Sequence, residues 1–122
     1  MKLTNQIAIV TGAGRGIGRA TTLALAREGA NLVLVDLRAP EMETVSNEVR
    51  GIGREVLTVA TNVSKKSEVE SMVEQALDRF GKVDLLANVA GVAVHNLIPN
   101  IREQDWGLNI TVNLKGIFLC TQ

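Results

Sequence analysis

Two kinds of apolar pattern alternate along the chain. Short, largely apolar runs are separated by longer stretches in which apolar residues recur every three or four positions. The runs are Ile7–Val10, Leu32–Val35, Val56–Ala60 and Val83–Ala87. The first two are unbroken rather than alternating, as strands buried on both faces require, while Thr58 and Asp84 interrupt the other two. Between them, Ile17 to Glu28 has a helical period, with Gly29 placed to end it. A second helix is expected from about Pro40, which suits a first helical turn, to Arg50, where Gly51 and Gly53 break the pattern. Val69, Met72, Val73, Ala76, Leu77 and Phe80 form the clearest amphipathic stripe, stopped by Gly81. Arg102 to Gln122 reads as a last helix. Strand–helix alternation of this kind predicts an α/β fold: a doubly wound parallel sheet, strand order 3-2-1-4, with helices on both faces. In such a sheet a ligand crevice lies between the first and fourth strands, where the winding reverses.

The last helix differs from the others. Trp106, Leu108, Ile110, Val112, Leu114, Ile117, Phe118 and Leu119 surround it, and a helix that is apolar all round is covered on more than one side. One side can lie on the sheet. The other is expected to need more polypeptide or a second copy, so a homo-oligomer formed through this helix is expected.

Candidate chemistry concentrates at the first two turns. Thr11-Gly12-Ala13-Gly14-Arg15-Gly16-Ile17-Gly18 joins the first strand to the first helix. Glycines at 12, 16 and 18 let backbone N–H groups approach a phosphate closely, and the helix N-terminus adds a favourable dipole. The spacing is T-G-x-x-x-G-x-G, with Ile17 where G-x-G-x-x-G would need its third glycine. Asp36, followed by Leu37, closes the second strand, where a carboxylate can accept hydrogen bonds from both hydroxyls of a ribose. The two features together predict a dinucleotide site. The acid repels an added 2′-phosphate, so NAD is expected ahead of NADP, although Arg15 and Arg38 are close enough in sequence to oppose that preference.

Composition narrows the picture further. At 122 residues the chain is one domain, and 46% hydrophobic residues are enough for a core. Thirteen basic and thirteen acidic residues cancel without like-charge blocks, which argues against nucleic-acid and membrane-surface partners. One cysteine, Cys120, excludes an internal disulfide and fits a reducing compartment. The first six residues lead directly into a strand rather than an apolar leader, and no run reaches membrane-spanning length, so a cytoplasmic protein is expected. No metal-ligand spacing occurs. His95 stands alone in the loop after the fourth strand, without a nearby acid, and is expected to be exposed rather than a general base.

These landmarks resemble a classical short-chain dehydrogenase/reductase. Thr11 to Gly18 matches that family's cofactor motif, and Asp36 its NAD-type acid. Asn88-Val89-Ala90-Gly91 is similar to its N-N-A-G, with valine replacing the second asparagine. Asn62-Val63 matches a D-V pair that receives the adenine, and Asn113 matches the helix asparagine of an Asn-Ser-Tyr-Lys tetrad. The resemblance implies a Rossmann-type domain over 1–122, incomplete at its C-terminal side and without a second domain. It implies Asn88, Ala90 and Gly91 beside the cofactor ribose. Asn62 would accept from the adenine amine through its amide oxygen, or turn its amide the other way. Activity would be hydride transfer between NAD and a small alcohol or ketone, with Asn113 holding a water in the proton relay. The relay's serine, tyrosine and lysine have no match here, and the 122 residues contain no tyrosine. Lys115 is expected to be a solvated helix charge. Taken alone, the chain is expected to carry the cofactor-binding half of such an enzyme. A nucleotide-binding module without catalysis and an assembly element are the alternatives.

Overall fold

A computed structural model describes residues 2–90, 102–104, 107 and 114–121. Its order is β1 (Ile7–Thr11), α1 (Gly16–Arg27), β2 (Asn31–Asp36), α2 (Ala39–Ile52), β3 (Val56–Ala60), α3 (Lys66–Phe80), β4 (Leu85–Asn88) and α4 (Gly116–Thr121). The four strands form one parallel sheet in the expected order β3-β2-β1-β4.

Period-two alternation divides the core into two layers. Ala8, Val10, Leu32 and Leu34 point to one face and pack with Leu23 and Ala26 of α1 and Met42, Val45 and Val49 of α2. Ile7, Ile9, Val33 and Val35 point to the other and pack with Val69, Met72 and Ala76 of α3 and Leu119 of α4. Helices on both faces explain why β1 and β2 are continuous apolar runs. On the first face, Arg19 of α1 and Glu48 of α2 are joined by a hydrogen bond of 2.9 Å from Nε. That bond raises the pKa of Arg19 and lowers that of Glu48.

Several boundaries differ from the sequence expectation by one or two residues, and three of them have a visible cause. β2 extends to Asp36, because parallel pairing with Ala60 continues past the apolar run. Gly51 does not end α2; the helix continues to Ile52 and closes at Gly53, which has φ 94°. β4 begins at Leu85 rather than Val83, since Asp84 is occupied at the sheet's lower rim. Its carboxylate accepts the Ile7 N–H at 2.8 Å and its own N–H donates to the Ile7 carbonyl at 2.9 Å. Lys82 Nζ lies 3.1 Å from the same carboxylate oxygen.

The Ile7 N–H, then Lys82, hold the Asp84 carboxyl below its ordinary pKa. A carboxylate depressed in the folded state contributes stability above its unfolded value of about 3.9 and loses it as pH falls through the lower folded value. Asp84→Asn should therefore show a smaller drop in Tm between pH 7 and pH 3 than the parent protein. Equal drops would show that this contact does not contribute to acid sensitivity.

Among the described residues of the last helical region, Gly116 and Leu119 are buried while Leu114, Ile117 and Phe118 are exposed. The expected apolar exposure beyond the sheet-facing side is present in this part. Trp106, Leu108, Ile110 and Val112 lie outside the described residues. No helix among the described residues is long and apolar enough to cross a membrane.

Candidate dinucleotide site

The site is built where β1, β2 and β4 end. β1 delivers Thr11 into a turn whose glycines are fitted to their neighbours. Gly18, in the first turn of α1, lies against the Gly12 carbonyl, leaving no room for a Cβ. Gly12 lies under the segment after β4; a Cβ there would come within 2.9 Å of the Ala90 backbone. Gly16 faces open space, and its φ of +57° is the left-handed conformation that favours glycine. α1 therefore starts close beneath β1 with its first turn open. Arg15, at its N-cap, makes no side-chain capping bond, and no acidic residue occupies the first turn. Unpaired N–H groups at such an end, with the helix dipole, favour an anion. Ile17 is 75% exposed beside them. A Gly-rich cradle of this shape fits a pyrophosphate.

Thr11 itself is buried, and its hydroxyl does not face the groove. Its Oγ1 accepts the N–H groups of Val89 at 3.0 Å and Ala90 at 3.1 Å. It also donates to the Ala87 carbonyl at 3.4 Å. The side chain therefore fastens the segment after β4 onto the glycine turn. Val89 packs partly buried against the first core layer, as expected for a small residue beside the sheet.

Asp36 is half-buried at the end of β2. Its Oδ2 accepts the Gly14 N–H at 2.9 Å, and Oδ1 accepts the Arg38 N–H at 3.2 Å. The expected ribose acid is thus also a brace for the glycine turn, a link that spacing in the sequence does not contain. Arg38 in turn reaches Glu41, Nη1 to Oε2 at 3.4 Å.

Two openings meet at Gly12, Asp36 and Arg38. A groove of about 320 Å³ runs past Arg15, Gly16, Ile17, Gly18 and Val89. A narrow slot of about 60 Å³ adjoins it, lined by Leu37, Thr61, Asn62, Val63 and Ala90. Leu37 is exposed at its rim. The Asn62 amide oxygen accepts the Ser64 N–H at 3.0 Å and also the Ser64 hydroxyl. Of the two orientations open from sequence, the structure has the oxygen turned to Ser64. Val63 is buried in the second core layer; Gly116 of α4 abuts it so closely that a Cβ would approach Val63 Cγ2 to 2.8 Å. What Val63 offers the slot is therefore mainly backbone.

Asn88 Nδ2 donates to Thr121 Oγ1 of α4 at 3.3 Å, tying β4 to that helix. Gly91, His95 and Asn113 lie outside the described residues. Among the described residues, no cluster of His, Cys, Asp or Glu could hold a metal.

Residues 6–122 match the family model for short chain dehydrogenase. One relative is the (2S)-[(R)-hydroxy(phenyl)methyl]succinyl-CoA dehydrogenase subunit BbsD of Thauera aromatica, 38% identical over 100% of this chain and 49% of its own length. A short chain dehydrogenase/reductase from Burkholderia phymatum, solved in complex with NAD, superposes with a TM-score of 0.94 at 34% identity, over 99% of this chain and 43% of that one. An alcohol dehydrogenase from the archaeon Thermococcus sibiricus, complexed with 5-hydroxy-NADP, gives 0.90 at 34% identity, over 94% and 49%. The chain spans about half the length of the curated relatives it matches. With a family match running from the strand before the glycine turn to the last residue, this chain belongs to the short chain dehydrogenase family.

Proposed function

We propose that these residues form the cofactor-holding half of an NAD(P)-dependent oxidoreductase that moves hydride between NAD and a small alcohol or ketone. The observation that carries the reading is the continuity of an uncapped α1 N-terminus, the Asp36 carboxylate and the slot beside Asn62. Gly12, Gly14, Arg15, Gly16, Ile17 and Gly18 line the pyrophosphate, and Thr11 holds their far wall in place. Asp36, with Leu37 at its rim, takes the adenosine ribose. Asn62 and Val63 border the adenine. Asn88, Ala90 and Gly91 lie toward the nicotinamide ribose, and Asn113 holds a relay water. When bound, the nicotinamide supplies the hydride acceptor or donor. The chain's own share is to bind, orient and exclude water. The proton-transferring tyrosine that the family resemblance implies is not among these 122 residues, so turnover requires it from elsewhere in the protein.

Relatives with NAD and with an NADP derivative leave the choice to this chain's residues. Asp36 favours NAD, because a carboxylate beside the ribose repels a dianionic phosphate and prefers two hydroxyls. The exposed face of Leu114, Ile117 and Phe118 supports self-association through the last helix. A lone half-buried cysteine suits the cytoplasm.

Calorimetric titration of a protein containing this chain with NAD and NADP tests the reading. NAD should bind more tightly. Asp36→Ala should weaken NAD about tenfold, the effect of one or two lost hydrogen bonds, and abolish the preference. No binding of either dinucleotide would sink the proposal, and equal binding would sink the NAD assignment.

A further inference from the structure

Building on the dinucleotide reading above, we infer that Glu41 is a specificity-determining residue, which holds Arg38 away from the position of a ribose 2′-phosphate. Arg38 is the cation nearest in sequence to the ribose acid, and its backbone N–H is bonded to Asp36. It lines both the groove and the slot. From that position an arginine is well suited to a phosphate, which it can contact with two donors. Its guanidinium is instead paired with Glu41 in the first turn of α2. Glu41 also packs against the glycine turn. A Cβ on Gly14 would come within 3.0 Å of the Glu41 Cβ and 2.9 Å of Asp36 Oδ2. Two acidic side chains therefore flank Gly14, and the Arg38 guanidinium is engaged by one of them. Asp36 excludes a 2′-phosphate by its own charge; Glu41 excludes it by occupying the group that would neutralise it.

The pair is solvent-exposed and joins the N-cap of α2 to its first turn, so its effect is bounded. Pairs of this kind amount to at most about fivefold in an equilibrium constant. Glu41→Gln keeps the stem against Gly14 and removes the charge. Titration of this variant with NADP and NAD, and with 2′,5′-ADP and 5′-AMP as probes of the adenosine half alone, reads the effect. The member of each pair that carries the 2′-phosphate should bind Glu41→Gln about fivefold more tightly than the parent protein, with the other unchanged within about twofold. In an Arg38→Ala background the gain should vanish. No gain in Glu41→Gln, or a gain that survives Arg38→Ala, would overturn the inference while leaving NAD binding intact. Loss of NAD binding in the unmodified protein would instead remove the reading on which it rests.

Discussion

Gly18→Ala is expected to unfold the site and to weaken NAD binding at least a hundredfold. A Cβ at this position has no free volume, because it falls on the Gly12 carbonyl oxygen. Neither partner can yield cheaply. Gly12 is wedged under Ala90, and Gly18 lies in the first turn of a helix whose Leu23 and Ala26 are in the core. Relief requires α1 to back away from β1, which loses core contacts and moves the phosphate-facing N–H groups together. Overpacking of this severity costs about 3 kcal/mol. Gly16→Ala makes a useful contrast. Nothing surrounds its Cβ, so only the left-handed backbone opposes it, a cost of about 1–2 kcal/mol. Denaturant midpoints and NAD titrations on both variants check the ranking. A Gly18→Ala protein with a parent-like midpoint would show that the turn relaxes far more easily than its packing implies.

The second large effect is expected from Thr11→Val, a change that keeps shape and removes one hydroxyl. The Val89 and Ala90 N–H groups both lose their acceptor in a half-buried place. Unsatisfied buried donors cost about 1–3 kcal/mol each, so a loss of about 3 kcal/mol is expected. The segment after β4 would no longer be fastened over Gly12, and dinucleotide affinity should fall with stability. Thr11→Ser keeps the acceptor and should restore most of both. If the serine and valine variants melt together, the hydroxyl is not what holds the segment.

The fold was largely legible because its signals are local and repeated. Short apolar runs mark β1 to β3, a three- and four-residue stripe marks α3, and alternation between the two kinds predicts the strand order. β4 starts two residues later than expected, because an apolar run headed by Val83 does not reveal that Asp84 is bonded across the sheet to Ile7. The site was legible in its parts. Gly12 to Gly18 and Asp36 stand at the predicted strand ends, each with a reason of its own to be there. Their connections were not legible. The Asp36–Gly14 bond, the Thr11 clamp and the Arg38–Glu41 pair join or orient groups through side-chain rotamers, and spacing along the chain does not encode rotamers. The direction of the Asn62 amide was open for the same reason. Ser64, two residues on, accounts for it once the turn is seen.

The alternation in β2 has a further consequence for how this chain can change length. Leu32, Leu34 and Asp36 share parity, and the two leucines face α1 and α2. Asp36 therefore leaves the strand on the side where the Gly14 N–H waits. Inserting or deleting one residue within β2 would exchange the two core layers and turn the carboxylate toward α3. Two residues would restore the parity but displace the acid by a full repeat along the strand. The stretch from Asn31 to Asp36 thus acts as a ruler graduated in pairs. Natural variation in length is expected to accumulate in the connections, while this strand stays fixed in its count.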